Sequence, residues 1–131
     1  MKYYIGVDWG LHKSGLAVAD DELRIATALK EVATKNLPDE LQELKKEYDN
    51  PEIVFGYLGQ VGVYQDNKSD ITKIKEEMER KITDLGFKIH RAEEMFSTKL
   101  AQENLKESGR KKISRRDNAE SAKIILQSWL D

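Results

Sequence analysis

The chain has 131 residues, 39% of them hydrophobic and 35% charged, with a net charge of −2 and no cysteine. That length fits one domain with its own core, spanning residues 1–131. The composition excludes disulfides, thiolate metal sites and a uniformly basic nucleic-acid binder, while a local basic patch stays open.

No apolar run is long enough to span a bilayer, and the first residues carry no signal-peptide pattern. A cytoplasmic protein without membrane contact is therefore expected. Any metal site has to be built from carboxylates, amides, carbonyls or the two histidines, which favours hard ions such as Mg²⁺ or Mn²⁺.

Tyr3, Tyr4, Ile5 and Val7 form the apolar run of a buried strand, expected over Lys2 to Asp8. Asp8 places a carboxylate where that strand runs out. Burying such a charge is costly unless it is paired or coordinates a metal. Gly10 and Gly15 punctuate the following turn, and Lys13 puts a cation in it. Leu16, Val18 and the alanines between them return as a second strand, Ser14 to Asp20, in a hairpin with the first. After the Asp20-Asp21 turn, a third strand is expected over Leu23 to Leu29.

The pattern then changes. Leu41 and Leu44 recur at helical spacing among Glu and Lys, with Pro38 in the first turn, so Leu37 to Tyr48 reads as a helix. Asn50-Pro51 ends it. Glu52 to Gly56 (EIVFG) is a short apolar run between breakers, the mark of a buried strand. Tyr57 to Asp70 is polar and Gly-rich and reads as a loop. Ser69 or Asp70 can cap a helix running to about Leu85, with Ile71, Ile74, Met78 and Ile82 on one face. Phe87 to His90 is a further strand. Glu93 to about Glu107 is a helix with an acidic first turn. Gly109 to Arg116 (GRKKISRR) is a basic loop, and a last helix runs from Asp117 or Asn118 to about Leu130. Three antiparallel strands followed by parallel βα units make a mixed five-stranded α/β sheet with helices packed on it.

Asp8 followed by the Gly10 turn, the EIVFG strand, EEMFSTKLA at Glu93 to Ala101 and SAKIILQSWLD at the end resemble, in order, four motifs of the YqgF/RuvX family. These are Holliday-junction-resolvase-like proteins associated with pre-16S rRNA processing, and their fold is ribonuclease H-like. The opening is similar to the family's Asp-x-Gly-x-(Lys/Arg)-x-x-Gly-hydrophobic-Ala through Asp8, Gly10, Lys13, Gly15 and Ala17. The third motif is similar to its Asp-Glu-Arg-Leu-(Ser/Thr)-Thr-x-x-Ala through Glu94, Ser97, Thr98 and Ala101. The resemblance implies a divalent-metal-dependent nuclease acting on structured RNA or branched DNA. Three carboxylates on separate elements would then hold one or two Mg²⁺ or Mn²⁺ ions: Asp8, Glu94 and a third from the last helix.

The chain departs from the pattern in four places. The family's Arg after the Glu is Met95 here, the Asp before it is Glu93, and the Gly-Leu-Pro after the central strand is Gly56-Tyr57-Leu58. The third carboxylate, counted back without a gap from Ile125, falls on Asn118, with Asp117 one residue earlier. At about 100° per residue, Asn118 shares a stripe with Ala122, Ile125 and Trp129. Asp117, with Glu120 three residues on, also reads as a helix N-cap in a variant capping box. Both remain candidates: Asp117 as a charged ligand, Asn118 through its amide oxygen.

Arg110, Lys111, Lys112, Arg115 and Arg116 lie directly before that helix and, with Lys13, are the candidate phosphate contacts. Such contacts position a substrate and carry no sequence information. His12 and His90 have no spaced partner for zinc. Ser97 and Thr98 have no histidine nearby in sequence to activate them. Two other readings stand beside the nuclease. One is a nucleic-acid-binding protein of the same fold whose chemistry has weakened, which Asn118 and Met95 favour. The other is an actin-like nucleotide-binding domain, which needs a cleft between two such domains where this chain supplies one. A homodimer is compatible with a junction-cutting enzyme, but no dimer face is visible in the sequence.

Overall fold

The computed structural model describes residues 2–56, 68–92 and 118–131. Within them the chain forms β1 (Tyr3–Asp8), β2 (Lys13–Asp20), β3 (Thr27–Ala33), a 3₁₀ turn (Thr34–Asn36), α1 (Leu37–Glu47), β4 (Glu52–Gly56), α2 (Lys68–Asp84), β5 (Ile89–Arg91) and α3 (Asn118–Leu130). The strands make one five-stranded sheet in the order β3-β2-β1-β4-β5. β1 pairs antiparallel with β2 and parallel with β4, so it is the central strand. β2 and β3 are antiparallel, and β4 and β5 are parallel.

The two faces of the sheet differ in side-chain size, because alternate residues of a strand point to opposite sides. One face carries Ile5, Val7, Trp9, Leu16, Ile53 and Phe55, packed with Leu37, Leu41 and Leu44 of α1 and Met78 and Ile82 of α2. The other carries Ala17, Ala19 and Val54 against Ala122, Ile125, Leu126 and Leu130 of α3. The small face lets α3 lie directly on the backbone. A Cβ on Gly6 would come within 2.7 Å of the Leu126 Cβ and 2.9 Å of the Ala122 carbonyl oxygen. Aromatic contacts extend each side: Tyr3 meets Tyr48 edge-on at 5.0 Å, and Tyr4 meets Trp129 at 5.2 Å.

The third strand lies four residues later than the apolar pattern of Leu23 to Leu29 predicts. The side chain of Asp20 explains the delay. Its Oδ1 accepts from the Glu22 and Leu23 amides at 3.0 and 2.7 Å, and this turn chemistry holds the chain out of the sheet. Arg24 then takes a positive φ of 55°. Leu23 and Ile25, which alternate like strand residues, are 71% and 64% exposed. β5 likewise begins two residues late, and Phe87 is a buried core residue just before it. On α2, Met78 and Ile82 are buried as expected but Ile74 is exposed. The helix expected over Glu93 to Glu107 and the basic loop lie outside the described residues.

Candidate metal and nucleic-acid site

Asp8 is the last residue of β1 and is only 4% exposed. In register it stands beside Gly15 of β2 and Gly56 of β4, and Gly15 in turn stands beside Glu31 of β3. Glu31, Gly15, Asp8 and Gly56 therefore form one row across the sheet. Paired residues share a face, and this row faces α3. The Cβ that Gly15 lacks would fall 1.8 Å from the Asn118 carbonyl oxygen, 2.1 Å from its carbon and 2.6 Å from the Ala119 nitrogen. Only glycine at position 15 permits the first turn of α3 to sit on the row that carries Asp8.

The strand end is held from the opposite face and from the turn. Trp9, 1% exposed, drives its ring into the larger core, and its amide donates to the Gly56 carbonyl at 2.7 Å. Beyond it runs a closed circuit of hydrogen bonds. The Gly10 amide donates to Ser14 Oγ at 3.4 Å, and Ser14 Oγ lies 2.8 Å from Thr34 Oγ1. Thr34 Oγ1 donates to the Gly10 carbonyl at 2.7 Å. A hydroxyl has one proton. Thr34 gives its proton to Gly10, so Ser14 is the donor to Thr34. Ser14 and Thr34 are both buried, and the Thr34 amide also donates to the His12 carbonyl at 2.9 Å. The turn after Asp8 is thus tied to the end of β3.

The structure brings three of the sequence-predicted residues to this edge: Asp8, Lys13 and Asn118. The Asn118 side chain donates from Nδ2 to Glu31 Oε2 at 2.7 Å. Lys13 Nζ lies 3.6 Å from Glu31 Oε1 and is 67% exposed. Glu94, Asp117, Arg110, Lys111, Lys112, Arg115 and Arg116 lie outside the described residues. Sequence reading missed Glu31, Ser14, Thr34 and Trp9. Trp9 could have been found by alternation, as an apolar residue one step past Asp8 on the other face. Glu31 gave no signal, because its place in the row depends on pairing across two hairpin partners.

The other predicted polar residues sit elsewhere. Asp20 holds the β2–β3 turn, as a turn residue should. His90 stands beside Val54 in mid-sheet, and its Nε2 donates at 2.6 Å to Oε1 of Glu52, which begins β4 at the end away from Asp8; its ring lies tilted against Trp129 at 4.7 Å. Glu52 also pairs with Lys2 at 3.0 Å. The His90 hydrogen bond, joined by Lys2, holds the Glu52 carboxyl below the ordinary glutamate range despite its partial burial.

Among the described residues, no group of three or more His, Asp or Glu side chains could hold a metal ion. The donors that are described still suit a hard divalent ion. Asp8 offers a buried carboxylate, Asn118 an amide oxygen, and neither sulfur nor imidazole joins them. The side-chain-free position at Gly15 lets the Asn118 backbone sit on the row that carries Asp8. No helix among the described residues is long and apolar enough to cross a membrane.

A mixed sheet whose first three strands are antiparallel, continued by parallel βα units and with an aspartate closing the central strand, is a ribonuclease H-like architecture. The chain belongs to the RuvX family of Holliday junction resolvases, whose model matches residues 2–131. Relatives named "Putative pre-16S rRNA nuclease" align over nearly their whole length. The protein of Dictyoglomus turgidum is 34% identical, covering 97% of this chain and 92% of its own. That of Christiangramia forsetii is 30% identical, covering 99% and 98%. That of Bacteroides fragilis is 29% identical, covering 100% and 97%. The full-length match displaces the actin-like alternative.

Proposed function

We propose that this protein is a divalent-metal-dependent nuclease that hydrolyses phosphodiester bonds in structured nucleic acid, with precursor 16S rRNA as the substrate class. The observation that carries this reading is Asp8. A carboxylate 4% exposed at the end of the central strand, facing the start of α3, has the position and chemistry of a metal ligand. The family membership and the relatives' names support the reaction class. In this reading Asp8, Glu94 and Asp117 are the carboxylate ligands and Asn118 adds an amide oxygen. Mg²⁺ or Mn²⁺, when bound there, would activate a water and stabilise the leaving oxygen of an in-line displacement. Trp9 and the Ser14–Thr34 circuit hold the strand end that carries Asp8. Lys13, Arg110, Lys111, Lys112, Arg115 and Arg116 would contact phosphates and orient the strand to be cut. The whole chain acts as one nuclease domain in the cytoplasm.

A second reading has one observation in its favour. Asn118 stands where the family pattern has a carboxylate, and its amide is engaged by Glu31. On that reading the protein binds the same nucleic acid without cutting it. The test is cleavage of structured RNA and of branched DNA with Mn²⁺ and with Mg²⁺, comparing wild type with Asp8→Asn. Metal-dependent cleavage lost in Asp8→Asn supports the nuclease. Tight binding without cleavage supports the second reading. Cleavage of branched DNA alone would replace rRNA processing with junction resolution, for which a homodimer is the expected form.

A further inference from the structure

The family pattern leaves Glu31 without a role, yet the fold sets it in the Asp8 row. Its Cα stands two strand spacings from that of Asp8, roughly 10 Å away, with Gly15 between them. The first residue of α3 lies over that gap, and its amide nitrogen reaches Glu31 at 2.7 Å. A carboxylate can only accept, so the orientation of the Asn118 amide follows from chemistry: the nitrogen faces Glu31 and the carbonyl oxygen is left for a cation. An aspartate at 118 would instead set two carboxylates against each other in the absence of metal.

We propose that Glu31 is a positioning residue of the cation site: it holds the Asn118 amide so that the carbonyl oxygen serves as a ligand, and it carries on β3 the negative charge that α3 lacks at this position. This rests on the metal-site reading above. A carboxylate that accepts from a ligand's N–H both orients that ligand and makes its donor atom more basic, and loss of such a partner typically weakens metal binding about 10–100-fold. Lys13 also faces Glu31, at 3.6 Å, but at 67% exposure its charge is well screened by solvent.

The test is Mn²⁺ binding to the full chain by titration calorimetry, with the metal-free melting temperature measured alongside. The variants are Glu31→Gln, Asn118→Asp, the double variant and Asp8→Asn. Glu31→Gln keeps an acceptor for the Asn118 amide and removes only the charge. Because a neutral amide is the weaker acceptor and lends the Asn118 oxygen less basicity, Mn²⁺ binding is expected to weaken about tenfold, the low end for loss of such a partner, with little change in metal-free melting. In the Asn118→Asp background the charge is already restored on α3, so the same substitution is expected to cost about threefold or less. Unchanged affinity in Glu31→Gln, or an equal loss in both backgrounds, overturns the proposal. If Asp8→Asn abolishes binding while Glu31→Gln does not, this proposal falls and the metal-site reading stands. If wild type binds no Mn²⁺, both fall together.

Discussion

Asp8 sits on a strand end that its neighbours immobilise, and the best lever on that end is Thr34. Its Oγ1 closes the circuit from the Gly10 amide through Ser14 and back to the Gly10 carbonyl. Thr34→Val keeps the shape of the side chain and leaves the Ser14 hydroxyl and the Gly10 carbonyl without that partner. Stability should fall by about 1–3 kcal/mol, the cost of stranding buried polar groups, as measured by urea unfolding. A loss within a few tenths of a kcal/mol would mean that the circuit is not what holds the turn. At this scale the sequence was informative only where chemistry is local. Asp8 at a strand end and Asp20 in a turn were legible from their neighbours. Ser14 and Thr34 were not, because their hydrogen bond spans 20 residues and forms only after β2 and β3 have paired.

Among the elements, α3 depends most on what it rests against. The apolar spacing of SAKIILQSWLD identified this helix and its buried Ala122 and Ile125. The reason it lies so close to the sheet belongs to the glycines beneath it. The nearest atoms a methyl at Gly15 would meet are backbone atoms of Asn118 and Ala119, which cannot rotate away as a side chain could. Gly15→Ala should therefore destabilise by about 3 kcal/mol, at the upper end for overpacking, and should speed hydrogen exchange at the first amides of α3. Wild-type exchange and stability in this variant would contradict the close seating of α3. The misplaced β3 shows the opposite limit. Leu23 and Ile25 alternate as a strand should, but period-2 apolarity does not distinguish strand pairing from an exposed turn held by Asp20.

Across the whole molecule, the two ends of the parallel strands have different chemistry. The Asp8 end gathers Asp8, Glu31 and Asn118, with Lys13 at the start of β2 beside Glu31. At the other end Glu52 pairs with Lys2 and is reached by His90, whose ring lies tilted against Trp129 of α3. Because Glu52 is held below its ordinary value in the folded state, its contribution to stability is present above the unfolded glutamate range and is lost as pH falls through the folded value. Wild type should be more stable than Glu52→Gln at neutral pH, and the gap should close on acidification below the ordinary glutamate range. A gap that stays constant with pH would show that Glu52 does not carry this linkage. The alternation of apolar runs and breakers made the mixed sheet legible before any contact was known. The pairing of Glu31 with Asn118 was not, since 87 residues separate them and only the completed sheet and α3 bring them together.

Asp8 is the residue on which metal-dependent cleavage by this fold turns. The most direct measurement is the rate at which wild type and Asp8→Asn cleave a structured precursor rRNA with Mn²⁺ and with the metal chelated. Wild type is expected to cleave, with chelation abolishing the cleavage, and Asp8→Asn to be slower by about a hundredfold or more, since metal ions supply several kcal/mol of transition-state stabilisation. Cleavage by Asp8→Asn at the wild-type rate, or wild-type cleavage indifferent to chelation, would contradict it.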